Sequence, residues 1–551
     1  MSAAWFWLLI PTAPLLAIWL LFTIRHKATS NYLWLACLPA LLAAWQPPPP
    51  MALGIMWPGA EWGIHDLLGQ VLLGFTAVLW AIAGLFAAAS QQDDPNRLRF
   101  WLFWLLSLSG NFLLIIAMDG ASFYVGFTVM SLSAYGLVVH LPGPGPRQAG
   151  RVYLQLAVVG EMLLYAGLMM RIHETGGMVL SMLDWQSIPI SPLTAIVLFL
   201  GFGLKAGFWP LHVWLPLAHP AAPAAASAVL SGAMIKAGIL GLWRFLPESD
   251  PMLQGWAQTL LAIGLISAFF GVLVGLLQTR AKTVLAYSSV SQIGYILVIL
   301  ALALQVPDSR DTWMILLATY IVHHGLAKGA LFVGAGLAAD TRLKTWHWLM
   351  MAIPALALAG MPFTSGAVAK TLLKEGFAQT LFADWVILLT IGSTATALLL
   401  LRALWLMYKS NSVISYKTPS HRQLSAWLAL CLLPLFLPLF TAPAVTSLYS
   451  LWSLLWPLLL ALLIGLWPIR QGLSVSGSLK RMPMARHVSL KTKRFLQRPP
   501  IPAFVPLLPN WRGFERSYRH ANRNNRDIVL ISTWLLCCLL LLSWLGMVLV
   551  L

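Results

Sequence analysis

Apolar runs of about 20 residues, long enough to span a bilayer as helix, recur from one end of this chain to the other. Within a bilayer every backbone N–H and C=O must find its partner inside the protein, so such runs fold as spanning helices or as a closed barrel. A barrel needs short strands of alternating polarity, and none is legible here. Composition agrees. Of 551 residues, 59% are hydrophobic and 9% charged, with mean hydropathy +0.79. A soluble domain carries about 25% charged residues. The chain reads as an all-α polytopic membrane protein, with no stretch left over for a soluble catalytic domain.

The apolar pattern predicts about 16 transmembrane helices, near 4–24, 30–46, 67–90, 100–118, 120–141, 152–171, 192–219, 222–245, 255–278, 284–305, 312–338, 346–378, 383–408, 425–443, 447–467 and 528–551. The seventh and twelfth are broken. With the N-terminus outside, the loops expected on the cytoplasmic side hold Arg25, Lys27, Arg97, Arg99, Arg147, Arg151, Arg280, Lys282, Arg342, Lys344, Lys409, Lys417 and Arg422. Residues 470–526 add thirteen more basic residues against the single acid Glu515. Outer loops and outer helix ends hold Arg171, Arg244 and Arg310. That asymmetry is the positive-inside pattern. The basic segment reads as a cytoplasmic tether, or as a surface for anionic lipid headgroups or an acidic partner. Its aromatic residues, such as Trp511, Phe514 and Tyr518, have no nucleic-acid-binding module around them, so nucleic acid is not an expected partner. The cell inner membrane is the expected location.

Both broken segments carry a lysine: GLKAGFWPLH over 203–212 contains Lys205, and GMPFTSGAVAK over 360–370 contains Lys370. A lysine at membrane depth costs roughly 2.5–3.5 kcal/mol on insertion scales, which makes it a functional candidate by default. Gly/Pro interruptions at corresponding places in two halves point to a carrier built from inverted repeats. Lys236 and Lys328 also sit well inside apolar runs, and Glu161 is the acid in the middle of the first half's helices, the natural partner for Lys205. His323 and His324 are adjacent, so they point about 100° apart on a helix and at most one is expected to face the lysines. His212 and His219 flank the first break and serve either as an access path or as partners for freed carbonyls. Lys374 and Glu375 sit near a membrane face, where snorkelling explains them equally well. Titratable groups within reach of one another through water are what a proton relay needs.

Metal and redox chemistry find little purchase. Cys37, Cys431, Cys537 and Cys538 lie in apolar runs without CxxC spacing. No acid or cysteine cluster joins His212 and His219. Gly334-Ala335-Gly336-Leu337-Ala338-Ala339 matches a dinucleotide fingerprint in letters only, because it ends a membrane helix and follows no strand. No cofactor is expected in this chain.

The runs KAGFWPLHVWLPLAHPAAP (205–223), SAVLSGAMIKAG (227–238), KTVLAYSSVSQIG (282–294) and HGLAKGALF (324–332) closely resemble the antiporter-like membrane subunits. That family comprises the proton-pumping subunits of respiratory complex I, Mrp-type antiporters, membrane-bound hydrogenases and the inorganic-carbon-accumulating DAB complexes. The resemblance covers about residues 100–410. It implies two inverted five-helix repeats, 100–245 and 255–408. Around them lie N-terminal helices in 1–99, additional helices in 425–467, the basic cytoplasmic segment 468–527 and a last helix 528–551. It places Lys205 and Lys370 as the central lysines, and Lys236 and Lys328 as bridging residues of a hydrated axis, in an ion-translocating subunit without its own catalytic centre.

One position departs from the family. A glutamate usual in the fifth helix is replaced by Thr128 within YVGFTVMSLSAY (124–135), and Glu161 aligns with an acid often found in the sixth helix. With this departure, the resemblance is strongest to the membrane subunit of a DAB-type complex. Such a subunit lets protons flow inward to drive a carbonic-anhydrase-like partner, which would hold the zinc. A proton-pumping subunit of a complex I-like or hydrogenase redox complex and a Na⁺/H⁺ antiporter module are the alternatives.

Overall fold

A computed structural model describes residues 4–24, 27–176, 185–247, 250–411, 418–440 and 448–470. The predicted helix at 528–551 and nearly all of the basic segment 468–527 lie outside these. The described residues as far as Leu462 form one unit, and 463–470 complete the last described helix. Helices account for nearly all of the structure: α1 (Phe6–Ile24), α2 (Leu38–Trp45), α3 (Leu67–Ser90), α4 (Arg97–Ile116), α5 (Gly120–Val138), α6 (Pro144–Glu174), α7 (Pro192–Ala206), α8 (Leu215–Ala221), α9 (Ala224–Phe245), α10 (Ala257–Leu276), α11 (Ala281–Gln305), α12 (Arg310–Asp340), α13 (Thr345–Ala359), α14 (Ser365–Ala378), α15 (Val386–Asn411), α16 (His421–Phe440) and α17 (Leu448–Arg470). Ten described spans are long and apolar enough to cross a membrane. The chain is a polytopic α-helical membrane protein.

Three local features differ from the sequence expectation. The second predicted span begins as a 3₁₀ helix, Lys27–Cys37, before becoming α2. A two-stranded antiparallel hairpin pairs Met51 with Trp62 and Ala52 with Glu61, anchored by the fully buried Asp119. The Asp119 carboxylate accepts from the Trp57 indole at 3.0 Å, the Glu61 amide at 3.1 Å and the Ser122 amide at 2.8 Å. Burial pushes this carboxyl up from its ordinary value, against those hydrogen bonds. Within α9, Leu230–Met234 form a π turn, the kind of wide turn that often marks functional sites.

The helices preceding each broken segment pack at backbone contact. A Cβ on Gly126 of α5 would lie 2.5 Å from the Leu114 amide of α4, and one on Gly294 of α11 would lie 2.6 Å from the Ala268 amide of α10. Only glycine permits so close an approach. Both broken segments turn at a left-handed glycine, Gly207 after α7 and Gly360 after α13, with φ of 74° and 95°.

Two arginines counted as helix-end charges are wholly buried, 0% exposed. Arg171 donates to the carbonyls of Trp185, Ile188 and Pro189 at 2.5–2.6 Å. Arg244, at the end of α9, donates to those of Leu114, Ile115 and Ala117 at 3.0–3.4 Å, closing the carbonyl end of α4. Asp66, the N-cap of α3, lies 3.8 Å from the same guanidinium. Burial works to raise the Asp66 carboxyl, but neighbouring His65 and Arg244 outweigh it and hold it well below the usual carboxylate range.

Arg244→Leu therefore strands three carbonyls and a carboxylate. It should lower unfolding stability by roughly 3–5 kcal/mol, the cost of breaking a buried charged cluster. Arg280→Ala, at an exposed site, should stay within about 0.5 kcal/mol. Denaturation of both variants in mild detergent tests this, and equal losses would remove the clamp role.

Candidate functional site

The first break is built by competition for freed carbonyls. After α7 ends, the Gly207 amide returns to Gly203 O at 2.8 Å and the Trp214 indole takes Leu204 O at 2.7 Å. Lys205 is thereby left to donate to hydroxyls instead, to Ser131 Oγ at 3.2 Å and Tyr153 OH at 3.3 Å. Its ammonium also lies 5.9 Å from the Phe127 ring centre and 5.7 Å from that of Tyr153, within cation–π range. Tyr153 is fixed by its own bond to Ser131 O at 2.7 Å.

Glu161 faces the same space. Its Oε2 accepts from Thr128 Oγ1 at 2.6 Å, and its Oε1 makes no hydrogen bond within the protein. A small cavity of about 20 Å³, room for about one water molecule, is lined by Phe127, Ser131, Tyr153, Glu161, Lys205 and Trp214, among others. Glu161 and Lys205 are each only 6% exposed, yet no ion pair joins them among the described residues. The expectation of a direct partner is thus refined: acid and base share a cavity, with hydroxyl groups as their contacts. Thr128, read from sequence only as a missing charge, is the residue that holds Glu161.

The second break is answered differently. Lys370 itself donates to a freed carbonyl, Ala359 O, at 2.7 Å, and to Ser393 Oγ at 3.1 Å. His323 Nδ1 meets Ser365 Oγ at 2.8 Å, at the start of α14. Between the breaks, Lys236 donates to Ser231 O inside the π turn, and Lys328 to Leu285 O at 2.7 Å. Ser231 Oγ and Ser289 Oγ lie 2.7 Å apart, and Ser289 Oγ reaches Leu285 O at 3.2 Å. A continuous polar strip thus links Lys236 to Lys328 between α9, α11 and α12.

Both adjacent histidines are fully buried. Neither ring nitrogen of His324 has a hydrogen-bond partner. His219 stacks on Phe332 with ring centres 4.5 Å apart and both its ring nitrogens are unpartnered, as is Nδ1 of His212. Neither of these two histidines caps a freed carbonyl, so that alternative is dropped. Lys374 is half-buried, with Nζ 3.5 Å from Ser453 O, and Glu375 is exposed and outside the cluster.

Sequence reasoning missed Thr128 as a contact, together with Ser131, Tyr153, Ser231, Ser289 and Ser393. Serines and tyrosines in apolar helices are too common to single out before the fold places them. Among the described residues no group of His, Cys, Asp and Glu could hold a metal ion.

A polytopic helical protein whose two broken helices meet a buried row of lysines is the class that this geometry defines. The chain belongs to the NADH:quinone oxidoreductase/Mrp antiporter transmembrane family, which matches residues 117–399. It is 37% identical over 316 residues to hydrogenase-4 component B of Escherichia coli, covering 55% of this chain and 46% of that protein. It is 26% identical over 326 residues to a Na(+)/H(+) antiporter subunit of Alkalihalophilus pseudofirmus, covering 56% of this chain and 65% of that one. The chain thus spans less than two thirds of the length of each of these relatives. Its fold is shared with a chain of the archaeal membrane-bound sulfane sulfur reductase, with TM-score 0.69, 20% identity and coverage of 79% and 94% of the two chains. It is shared also with a chain of the Mrp complex from Dietzia, with TM-score 0.65, 19% identity and coverage of 82% and 96%.

The Thr128–Glu161 bond is directly testable. A double-mutant cycle of Thr128→Val with Glu161→Gln, read by unfolding in detergent, should show a coupling of about 0.5–3 kcal/mol. Strict additivity would mean that the hydroxyl does not hold the carboxylate.

Proposed function

We propose that this chain conducts protons across the cell inner membrane through a hydrated row of Glu161, Lys205, Lys236, His324, Lys328, His323 and Lys370, within two inverted repeats at 100–245 and 255–408. The observation that carries the reading is the shared cavity, where Glu161 and Lys205 face one another without an ion pair and Glu161 Oε1 has no protein partner. A fully bonded ion pair would hold its proton in place, whereas two groups joined by hydroxyls and space for water can exchange one. His212 and His219 flank the route and Lys374 adjoins Lys370, while Glu375 has no part in it. The N-terminus lies outside and the basic 468–527 segment faces the cytoplasm.

In this reading the inward proton flow drives a peripheral partner resembling a zinc β-carbonic anhydrase, which hydrates CO₂ and so accumulates bicarbonate. The zinc belongs to the partner, and this chain is a coupling subunit without a catalytic centre. Thr128 in place of the usual family glutamate supports this branch, because it marks a departure from the standard redox pump. Each elementary charge that crosses gains about 2.3 kcal/mol per 100 mV, enough to bias hydration strongly. A second reading, a membrane subunit of a redox complex, is favoured by the likeness to hydrogenase-4 component B.

Lys205→Arg keeps the charge but gives up a releasable proton, so proton flux should fall nearly as far as in Lys205→Ala while the protein still inserts. Full flux in the Arg variant would leave Lys205 a purely electrostatic role. Glu161→Gln should be as severe.

In a host lacking carbonic anhydrase, growth rescue should require this chain together with its partner. A protonophore should abolish bicarbonate accumulation, and removal of sodium should not. The reverse pattern would assign a sodium-linked carrier, and co-purification with iron–sulfur or nickel subunits would assign the redox reading.

A further inference from the structure

Two cations of α15 converge on one ring. The Arg402 guanidinium lies 4.9 Å from the ring centre of Trp405, and the Lys409 ammonium lies 5.2 Å from it, both within cation–π range. The three residues fall at i, i+3 and i+7, so they share one face of the helix. Lys409 stands in the last turn of α15, where a lysine can extend into water. Its ammonium instead turns back along the helix to the indole.

The backbone beside this cluster fixes its depth. A Cβ on Gly275 of α10 would lie 2.7 Å from Leu399 Cδ1 of α15, so the two helices cross closely just before α10 ends at Leu276. One turn beyond Leu399, Arg402 Nη2 donates to Gln278 O at 3.2 Å, in the turn that leads into α11. Irregular backbone of this kind does not face lipid within the hydrocarbon, so the guanidinium stands at headgroup level. Trp348 and Tyr408 pack edge-on with ring centres 5.4 Å apart, and aromatic side chains mark the same level. Trp405 and Tyr408 are exposed, and Arg402 is half-buried and in no ion pair among the described residues. Toward the bilayer interior the surface is bare and apolar: Leu273 and Leu277 are exposed beside the crossing, as is Ile391, about three turns before Arg402 on the same face.

Positive charge and ring faces at one level, with apolar side chains below, match the two parts of a phospholipid. The chain's own 470–526 segment is a poor match by charge, with thirteen basic residues against the single acid Glu515. We propose that the Arg402–Trp405–Lys409 face binds the phosphate of an anionic phospholipid, in the leaflet that this end of α15 meets, the cytoplasmic one in the orientation given above. Arg402 supplies planar donors that suit a phosphate, Lys409 supplies a second charge, and Trp405 holds both cations on one face. This site is independent of the ion conducted and of the partner complex.

The test uses the full chain with whatever subunits accompany it, purified in mild detergent and washed of bound lipid. Native mass spectrometry then follows the binding of added phosphatidylglycerol, with phosphatidylethanolamine as the counterpart without net charge. Wild type should prefer phosphatidylglycerol. Arg402→Gln and Lys409→Gln should each weaken the tightest-bound phosphatidylglycerol about fivefold, the effect of one basic residue near an anionic lipid surface, and the double variant should weaken it further. Arg147→Gln, at an exposed cation in another loop, should leave it unchanged, with unfolding temperature serving as the check that every variant is folded. Losses in Arg402→Gln and Lys409→Gln no larger than in Arg147→Gln would overturn the proposal, as would equal binding of the two lipids. So would a cross-link from Lys409 to a co-purifying subunit in the intact complex, which would assign this face to a protein partner.

Discussion

A helix broken inside an apolar interior leaves carbonyls that must be bonded, and the way each break meets this demand decides what its lysine can do. At the first, the Trp214 indole takes Leu204 O and leaves Lys205 among the hydroxyls of Ser131 and Tyr153. At the second, Lys370 itself donates to Ala359 O, and to Ser393 Oγ beside it. Lysines that look equivalent in sequence therefore sit in different states of commitment. Lys205 is bound by long contacts to neutral groups, whereas Lys370 is tied to the helix end.

Between them, Lys236 and Lys328 also donate to main-chain carbonyls, those of Ser231 and Leu285. A buried ammonium is tolerable only when its donors are met, and here backbone oxygen supplies what carboxylates would supply elsewhere. Neutral acceptors meet the donors without pairing the charge, so each ammonium is solvated but not neutralised. Glu161, bonded by Thr128 through one oxygen only, follows the same pattern from the acidic side. Its position brings a carboxylate to the cavity although the fifth helix supplies none.

Much of this architecture is legible in the letters, because apolar runs, glycines and prolines act locally. Leu67–Ser90 is predicted to the residue, and both breaks fall where the Gly/Pro runs place them. What escapes is what depends on distant chain segments. Arg171 and Arg244 look like interfacial charges until the carbonyl ends of other segments are seen against them. The π turn at Leu230–Met234 leaves no mark in apolar periodicity. The hairpin depends on Asp119, nearly sixty residues beyond Glu61 in the chain.

The π turn has a consequence for how such a chain can change over time. A wide turn fits one residue more than an α turn into the same sweep of helix. Removing any one residue from 230–234 would let α9 close as an ordinary α helix, with the part that begins at Lys236 near its present direction. What such a deletion takes away is the wide turn itself, where Ser231 O accepts from the Lys236 ammonium. The extra residue thus bears on the acceptor offered to the charge and not on the course of the helix beyond it, and a substitution that preserves hydropathy at every position leaves that acceptor in place.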